Sequence, residues 1–161
     1  MSTASDHDRR EERSEDEQER LNRQMMELLN ELRVAMPGVQ VLFGFLLTVP
    51  FQQRFSEVDD FQRTVYFATL IAAAVATAFL IAPSAHHRVM FEQHDKPTII
   101  RVGTVQMLVG LAALALAMNG AVLLVTDVLF DAGTVAVTVA GLATLYVSLW
   151  FGFGLARRVR R

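Results

Sequence analysis

Three polar side chains stand inside long apolar stretches of the sequence and are the first candidates for chemistry. Gln40, Gln106 and Asn119 carry amides that both donate and accept hydrogen bonds. An unpartnered amide is unfavourable in lipid, so each one needs a partner. Gln40 and Gln106 fall at a similar depth on the cytoplasmic side, which places them to hydrogen-bond across the bundle or to line a small polar cavity. No carboxylate or base lies deep in these stretches. Proton-coupled transporters commonly use such a group near the middle of the membrane, so its absence argues against that mechanism.

A second group with titratable side chains consists of His86, His87 and Arg88. Because imidazole titrates near neutral pH, this group is suited to sensing pH or contacting lipid phosphate, or it is an ordinary basic end that anchors an apolar segment. Neighbouring side chains on a helix point about 100° apart, so the two histidines do not comfortably share one metal ion. We therefore expect no metal site.

Motifs for catalysis are missing from the sequence. The chain contains no Cys, which excludes disulfides, thiolate metal sites and Cys nucleophiles. It also lacks a Ser-His-Asp order, a phosphate loop and an HExxH motif. A net charge of -2 gives no basic field for nucleic acid. The sequence therefore predicts a protein that is not an enzyme, with no cofactor and no nucleic-acid partner.

Four long segments without Asp, Glu, Lys or Arg must position the polar residues. A hydrocarbon core about 30 Å thick needs roughly 20 helical residues, and each segment is long enough. The segments therefore predict an all-α membrane protein with four transmembrane helices, which form a domain over residues 34–156. We place the helices at about residues 34–53, 64–85, 102–126 and 132–156.

A soluble four-helix bundle is the competing interpretation of these segments. Its helices would each need a polar face that repeats every 3.6 residues. Between Val65 and Ala82 the only polar side chains are Tyr66, Thr69 and Thr77, which do not form such a face. The pattern therefore favours lipid as the solvent around the helices.

The distribution of basic residues predicts the orientation of the chain. With the N-terminus inside, thirteen Lys and Arg residues lie on the cytoplasmic side, and only Arg54 and Arg63 lie outside. This bias is typical of cytoplasmic loops. We therefore expect both termini to be cytoplasmic, with no cleavable signal peptide in the first 33 residues.

The region before the first span divides into two parts. Residues 1–16 are rich in charge and poor in apolar side chains, which predicts a disordered tail. Residues 17–33 place apolar side chains on one helical face, which predicts an amphipathic helix on the membrane surface or against a partner. Pro37 should bend the chain between this helix and the first span. Residues 157–161 form a basic cytoplasmic tail.

Small residues recur at a spacing of four in the fourth segment. Small side chains let helix backbones approach closely in lipid, so the series predicts helix packing, although Ala-rich spans also produce such series by chance. Ala113, Ala117 and Ala121 in the third segment are a candidate partner. The central members of the series are Ala140, Thr144, Ser148 and Gly152.

Three strings carry a resemblance to a known family. They are ELRVAMPGVQVLFGFLLTVPF at 31–51, DFQRTVY at 60–66 and APSAHHR at 82–88. The chain resembles, over about residues 28–128, a family of small bacterial four-span membrane proteins known only by a domain-of-unknown-function label. Some members carry an automatic sodium:proton antiporter name. The resemblance implies a bacterial inner or plasma membrane and supplies no site residues.

Three functions stay open at this point. The first is a structural or regulatory interaction unit embedded in the lipid bilayer, which binds a second copy of the chain or another membrane protein. The second is a small cation or proton antiporter with Gln40, Gln106 and Asn119 along its path. The third is a pH or envelope-stress sensor that uses His86 and His87.

Overall fold

A computed structural model describes the backbone of residues 3–89 and 96–152 and, apart from positions 22, 25, 28 and 54, the side chains of residues 19–85 and 101–150. Every regular element in these ranges is helical. Helix α1 is followed by two short 3₁₀ segments and three further long helices, the last of which continues as a π-helix. The elements are α1 (Thr3–Thr48), the 3₁₀ segments Val49–Phe51 and Gln53–Glu57, α2 (Asp60–Val89), α3 (Lys96–Leu129), α4 (Ala132–Tyr146) and the π segment Val147–Gly152.

All four long helices contain a stretch that is long and apolar enough to cross a membrane. These stretches are 23, 26, 29 and 19 residues long. They confirm an all-helical fold with four candidate spans, while the side of the membrane on which the termini lie stays a prediction. The stretches are Leu29–Phe51, Asp60–Ala85, Arg101–Leu129 and Ala132–Trp150.

Helix α1 continues through Pro37, and the bend that the sequence predicts there stays a prediction. The helix is continuous from Thr3 to Thr48 with Pro37 inside it. Proline removes one backbone N–H and crowds the carbonyl four residues earlier, a local cost that long apolar helices tolerate. Neither residue 16 nor residue 33 is an element boundary. The predicted tail disorder and the surface position of residues 17–33 stay predictions.

The core lies among the first three helices. Helices α2 and α3 form the most extensive pair, α1 packs against both, and α4 packs on α3 alone among the long helices. Tight α2–α3 packing requires glycine, because a Cβ on Gly110 would lie 2.8 Å from Leu80 Cγ. One cluster of buried residues contains Leu32, Val39, Ala76, Leu80, Ala113 and Leu114, and a second contains Leu46, Tyr66, Ala73 and Ala117.

Two connections lie at the same end of the bundle, which we call the loop end: residues 49–59 and residues 130–131. Asp59 Oδ1 accepts a hydrogen bond from the backbone N–H of Gln62 at 2.7 Å, which satisfies a free donor at the start of α2. Asp131 is the N-cap of α4 and accepts from the backbone N–H groups of Gly133 and Thr134. Side-chain caps therefore define where both helices begin.

The Asp131 cap leads to a prediction of pH dependence. Hydrogen bonds from the Thr134 hydroxyl and then from the backbone N–H groups of Thr134 and Gly133 hold the pKa of Asp131 below its ordinary value of 3.8. Because the pKa is lowered in the folded state, the ionised carboxylate stabilises the protein above about pH 4, and this contribution is lost as the pH falls through the folded-state pKa. We expect Asp131→Asn to lower the thermal midpoint slightly at pH 6, and we expect this difference to shrink as the pH is lowered below 3.8, measured by circular dichroism in detergent. A constant difference across this range would contradict the assignment.

Candidate functional site

Asn119 joins α3 to α4. Its Nδ2 donates a hydrogen bond to the backbone carbonyl of Val139 at 3.3 Å. Its Oδ1 is buried and has no hydrogen-bond partner among the described residues. The amide therefore acts as an interhelical contact that fixes where α4 lies along α3.

The other two amides of the predicted set lie on α1 and α3. Gln40 is exposed on α1, and Gln106 is half-buried on α3. Within the described part of the chain, the side chain of Gln40 makes no hydrogen bond to Gln106 or Asn119. A transport path through the three amides stays a prediction.

The basic cluster is located only by its backbone. His86, His87 and Arg88 lie in the last part of α2, and their side chains fall outside the described residues. Pro83, just before them, is inside the helix and buried. The hypothesis of pH sensing therefore stays untested. Over the described residues, no group of three or more His, Asp and Glu side chains is placed to hold a metal ion.

The small-residue series of α4 lies on a free face of the helix. Ala140, Thr144 and Ser148 are exposed, as is Ala136 one turn earlier. The buried Val135 lies about 140° around the helix from Ala140, so the series points away from α3. We call the surface of Ala136, Ala140, Thr144 and Ser148 the small-residue face. Ser148 and Gly152, the last two of the four central residues, fall in the π segment that continues α4.

The predicted pairing of this series with the alanines of α3 is not seen among the described side chains. Ala113 and Ala117 are buried, but they lie in clusters with residues of α1 and α2. Helix α2 also has small residues that allow close packing, so α2 and α4 can compete for the alanines of α3. The small residues of α2, Ala73 and Ala76, are fully buried. The close contact therefore forms between α2 and α3.

An apolar cavity at the loop end was not predicted from the sequence. Its volume is about 440 Å³, and it is partly open. Helices α1, α2 and α3 and the segment that follows α1 all contribute to the wall. The side chains that line it include Leu42, Leu46, Phe55, Leu124, Val125 and Val128.

Two hydrogen bonds hold polar side chains of this cavity in place. The hydroxyl of Tyr66 donates to the backbone carbonyl of Leu46 at 2.9 Å. Position 50, whose N–H would bond to that carbonyl in a continuing helix, is Pro50, so the tyrosine supplies the donor that proline lacks. Gln62 Nε2 donates to Asp127 Oδ2 at 2.9 Å and so ties the start of α2 to the end of α3.

Acidic residues predominate around the loop end. Residues 53–63 and 127–131 contain five acids and two arginines. The guanidinium Nη1 of Arg63 lies 3.8 Å from Asp60 Oδ1. The side chain of Arg54 lies outside the residues that the structure describes. This end of the bundle therefore carries a net negative charge. The acids are Glu57, Asp59, Asp60, Asp127 and Asp131.

Fold and side chains together define a class, that of all-helical chains with four helices capable of crossing a membrane, which suggests a membrane protein. Within this class the chain belongs to the family of unknown function DUF6328, which it matches over residues 14–154. No curated protein and no solved structure matches it. Membership agrees with the resemblance to an uncharacterised family, while a bacterial source and an antiporter activity stay predictions.

Proposed function

We propose that this chain is a non-enzymatic interaction unit of a membrane that associates with a second copy of itself or with another membrane protein through α4. The observation that carries the proposal is the small-residue face, because it is exposed over three turns of a helix that packs only on α3. In lipid, helices associate through close backbone packing, and small side chains permit it.

The shape of α4 supports association along this face. In a straight helix, residues four apart drift by about 40° per step, which turns a long series away from a straight neighbour. The π segment Val147–Gly152 has i→i+5 hydrogen bonds and hence more residues per turn, so a spacing of four there falls short of a full turn. The angular drift of the series around the helix axis therefore reverses near Ser148. As a result, the small residues stay closer to one face of the helix.

Adding bulk to the small-residue face should weaken association. We expect Ala140→Leu combined with Thr144→Leu to lower the association constant about tenfold, equal to the loss of one to two interhelical contacts. The measurement is Förster transfer between labelled copies at increasing dilution in phosphatidylcholine vesicles. Thr144 donates to Ala140 O within its own helix, so the change does not break an interhelical hydrogen bond.

The matched control adds the same side chain at an exposed site of another helix. Ala78 is exposed on α2, and Ala78→Leu should leave association within about twofold of the unchanged protein. If both variants weakened association equally, or neither did, the small-residue face would not be the contact. Where the unchanged protein does not self-associate, crosslinking from position 140 in native membranes tests the other partner, a different membrane protein.

Cation or proton antiport, the alternative from the sequence, has a separate test. Purified protein in sealed vesicles would exchange sodium for protons, and Asn119→Ala would abolish this flux. Sodium-dependent proton flux that this substitution removes would favour the antiporter over the interaction unit. An interaction unit predicts no flux above that of empty vesicles.

A further inference from the structure

The loop-end cavity has the size and lining of a binding site for a small molecule. Such sites have volumes of roughly 300–1,000 Å³, apolar walls and few polar groups. The cavity measures about 440 Å³, and nearly all its wall comes from aliphatic and aromatic side chains. The residues that line the cavity belong to α1, α2 and α3 and to the segment that follows α1. A molecule bound in the cavity would therefore contact all three helices.

The polar side chains of the wall are engaged with the protein itself. The hydroxyl of Tyr66 donates to Leu46 O, and the amide of Gln62 donates to Asp127. A ligand that needed to exchange hydrogen bonds deep in the cavity would compete with these bonds. The part of the ligand inside the cavity must therefore be apolar.

The carboxylates beside the cavity determine which charge the polar end of a ligand can carry. Val58 lines the cavity and is flanked by Glu57 and Asp59, and Val128 lines it next to Asp127. Carboxylates next to an apolar wall attract a cation and repel an anion. We propose that the cavity binds a small amphiphile with an apolar chain inside it and a protonated amine beside Asp127.

The test uses three probes that share one chain and differ in charge: dodecylamine, dodecanol and dodecanoate. A dodecylamine that carries a diazirine at the end of its chain is photoactivated with the full-length protein in phosphatidylcholine nanodiscs, and labelled peptides are identified by mass spectrometry. We expect saturable labelling within residues 42–66 and 121–129. Unlabelled dodecylamine should compete about tenfold better than dodecanol, and dodecanoate should compete least.

Two substitutions separate the cavity from the rest of the surface. Val125 lines the cavity but is 60% exposed, so Val125→Trp should block the cavity and reduce labelling about tenfold with little effect on folding. Val137→Trp places the same side chain on α4 at a position that is 75% exposed and outside the cavity, and it should leave labelling unchanged. Asp127→Asn keeps an acceptor for Gln62 and should remove the preference for the amine over the alcohol.

Four outcomes would overturn the proposal. Labelling that does not saturate and spreads over all four helices would show ordinary lipid contact. Equal effects of Val125→Trp and Val137→Trp would place the ligand elsewhere. Equal competition by all three probes, or an amine preference that survives in Asp127→Asn, would remove the assignment of a cationic head group.

Discussion

Gly120→Ala should destabilise the protein by about 1–3 kcal/mol, the usual cost of extra bulk in a tightly packed interface. A Cβ at position 120 would collide with Thr69 Oγ1 and would lie 3.2 Å from Thr69 Cβ. Thr69 is 3% exposed, and its hydroxyl donates to Val65 O at 2.7 Å, so it has little room to move. The α2–α3 pair would have to separate. The measurement is the free energy of unfolding in detergent, followed by circular dichroism.

Two variants test whether the collision is the cause. Gly44→Ala places the same methyl group where nothing lies within 4 Å, and it should be neutral or stabilising because alanine favours helix. In a Thr69→Ala background, Gly120→Ala should cost clearly less, since the hydroxyl and methyl of threonine are gone. An equal cost in both backgrounds would show that the two residues do not interact.

Tyr66→Ala should cost about 3–5 kcal/mol, as expected for loss of a large buried aromatic side chain. Tyr66 is 8% exposed and packs edge-to-face on Phe55, with ring centroids 5.2 Å apart. Its hydroxyl also bonds to Leu46 O, so one side chain holds together the end of α1, the 3₁₀ segment and α2. Tyr66→Phe, which removes only the hydroxyl, should cost about 1–3 kcal/mol. Both are measured by unfolding in detergent.

The role of the hydroxyl is tested through Pro50. Pro50→Ala restores a backbone N–H four residues after Leu46, so the carbonyl gains a second source of a hydrogen bond. We therefore expect Tyr66→Phe to cost less in the Pro50→Ala background than in the unchanged protein. If the cost stayed the same, the tyrosine would stabilise the fold by packing alone, and the proposed replacement of the missing donor would be wrong.

The four apolar helices could be predicted because lipid excludes charge along a whole segment, and this leaves a signal in the sequence itself. The hydrogen bond from Asn119 to α4 fits the same logic, since a buried amide needs a partner on a neighbouring helix, but the sequence does not show which helix provides that partner. The sequence carries no such signal for which helices pack side by side. Alanines at a spacing of four occur on α3 and α4, yet Ala113 and Ala117 pack in the core with α1 and α2.

The cavity could not be predicted from the sequence because it depends on how the helix ends diverge. Leu46, Phe55 and Leu124 look like ordinary core residues, and nothing in their type or spacing shows that space remains between them. Gln62 and Asp127 were the one available signal. Each stands near the end of an apolar segment, but 65 positions separate them, so only the folded chain reveals that they are bonded.

The attachment of α4 has a consequence for biosynthesis. Among the residues that the structure describes, every buried apolar side chain of the core except Val135 belongs to a helix that precedes Asp131. When synthesis has reached Leu129, almost all the residues that form the buried core have already been made. The last helix therefore has only α3 to pack on among the long helices, and it adds little to the core that the first three helices share.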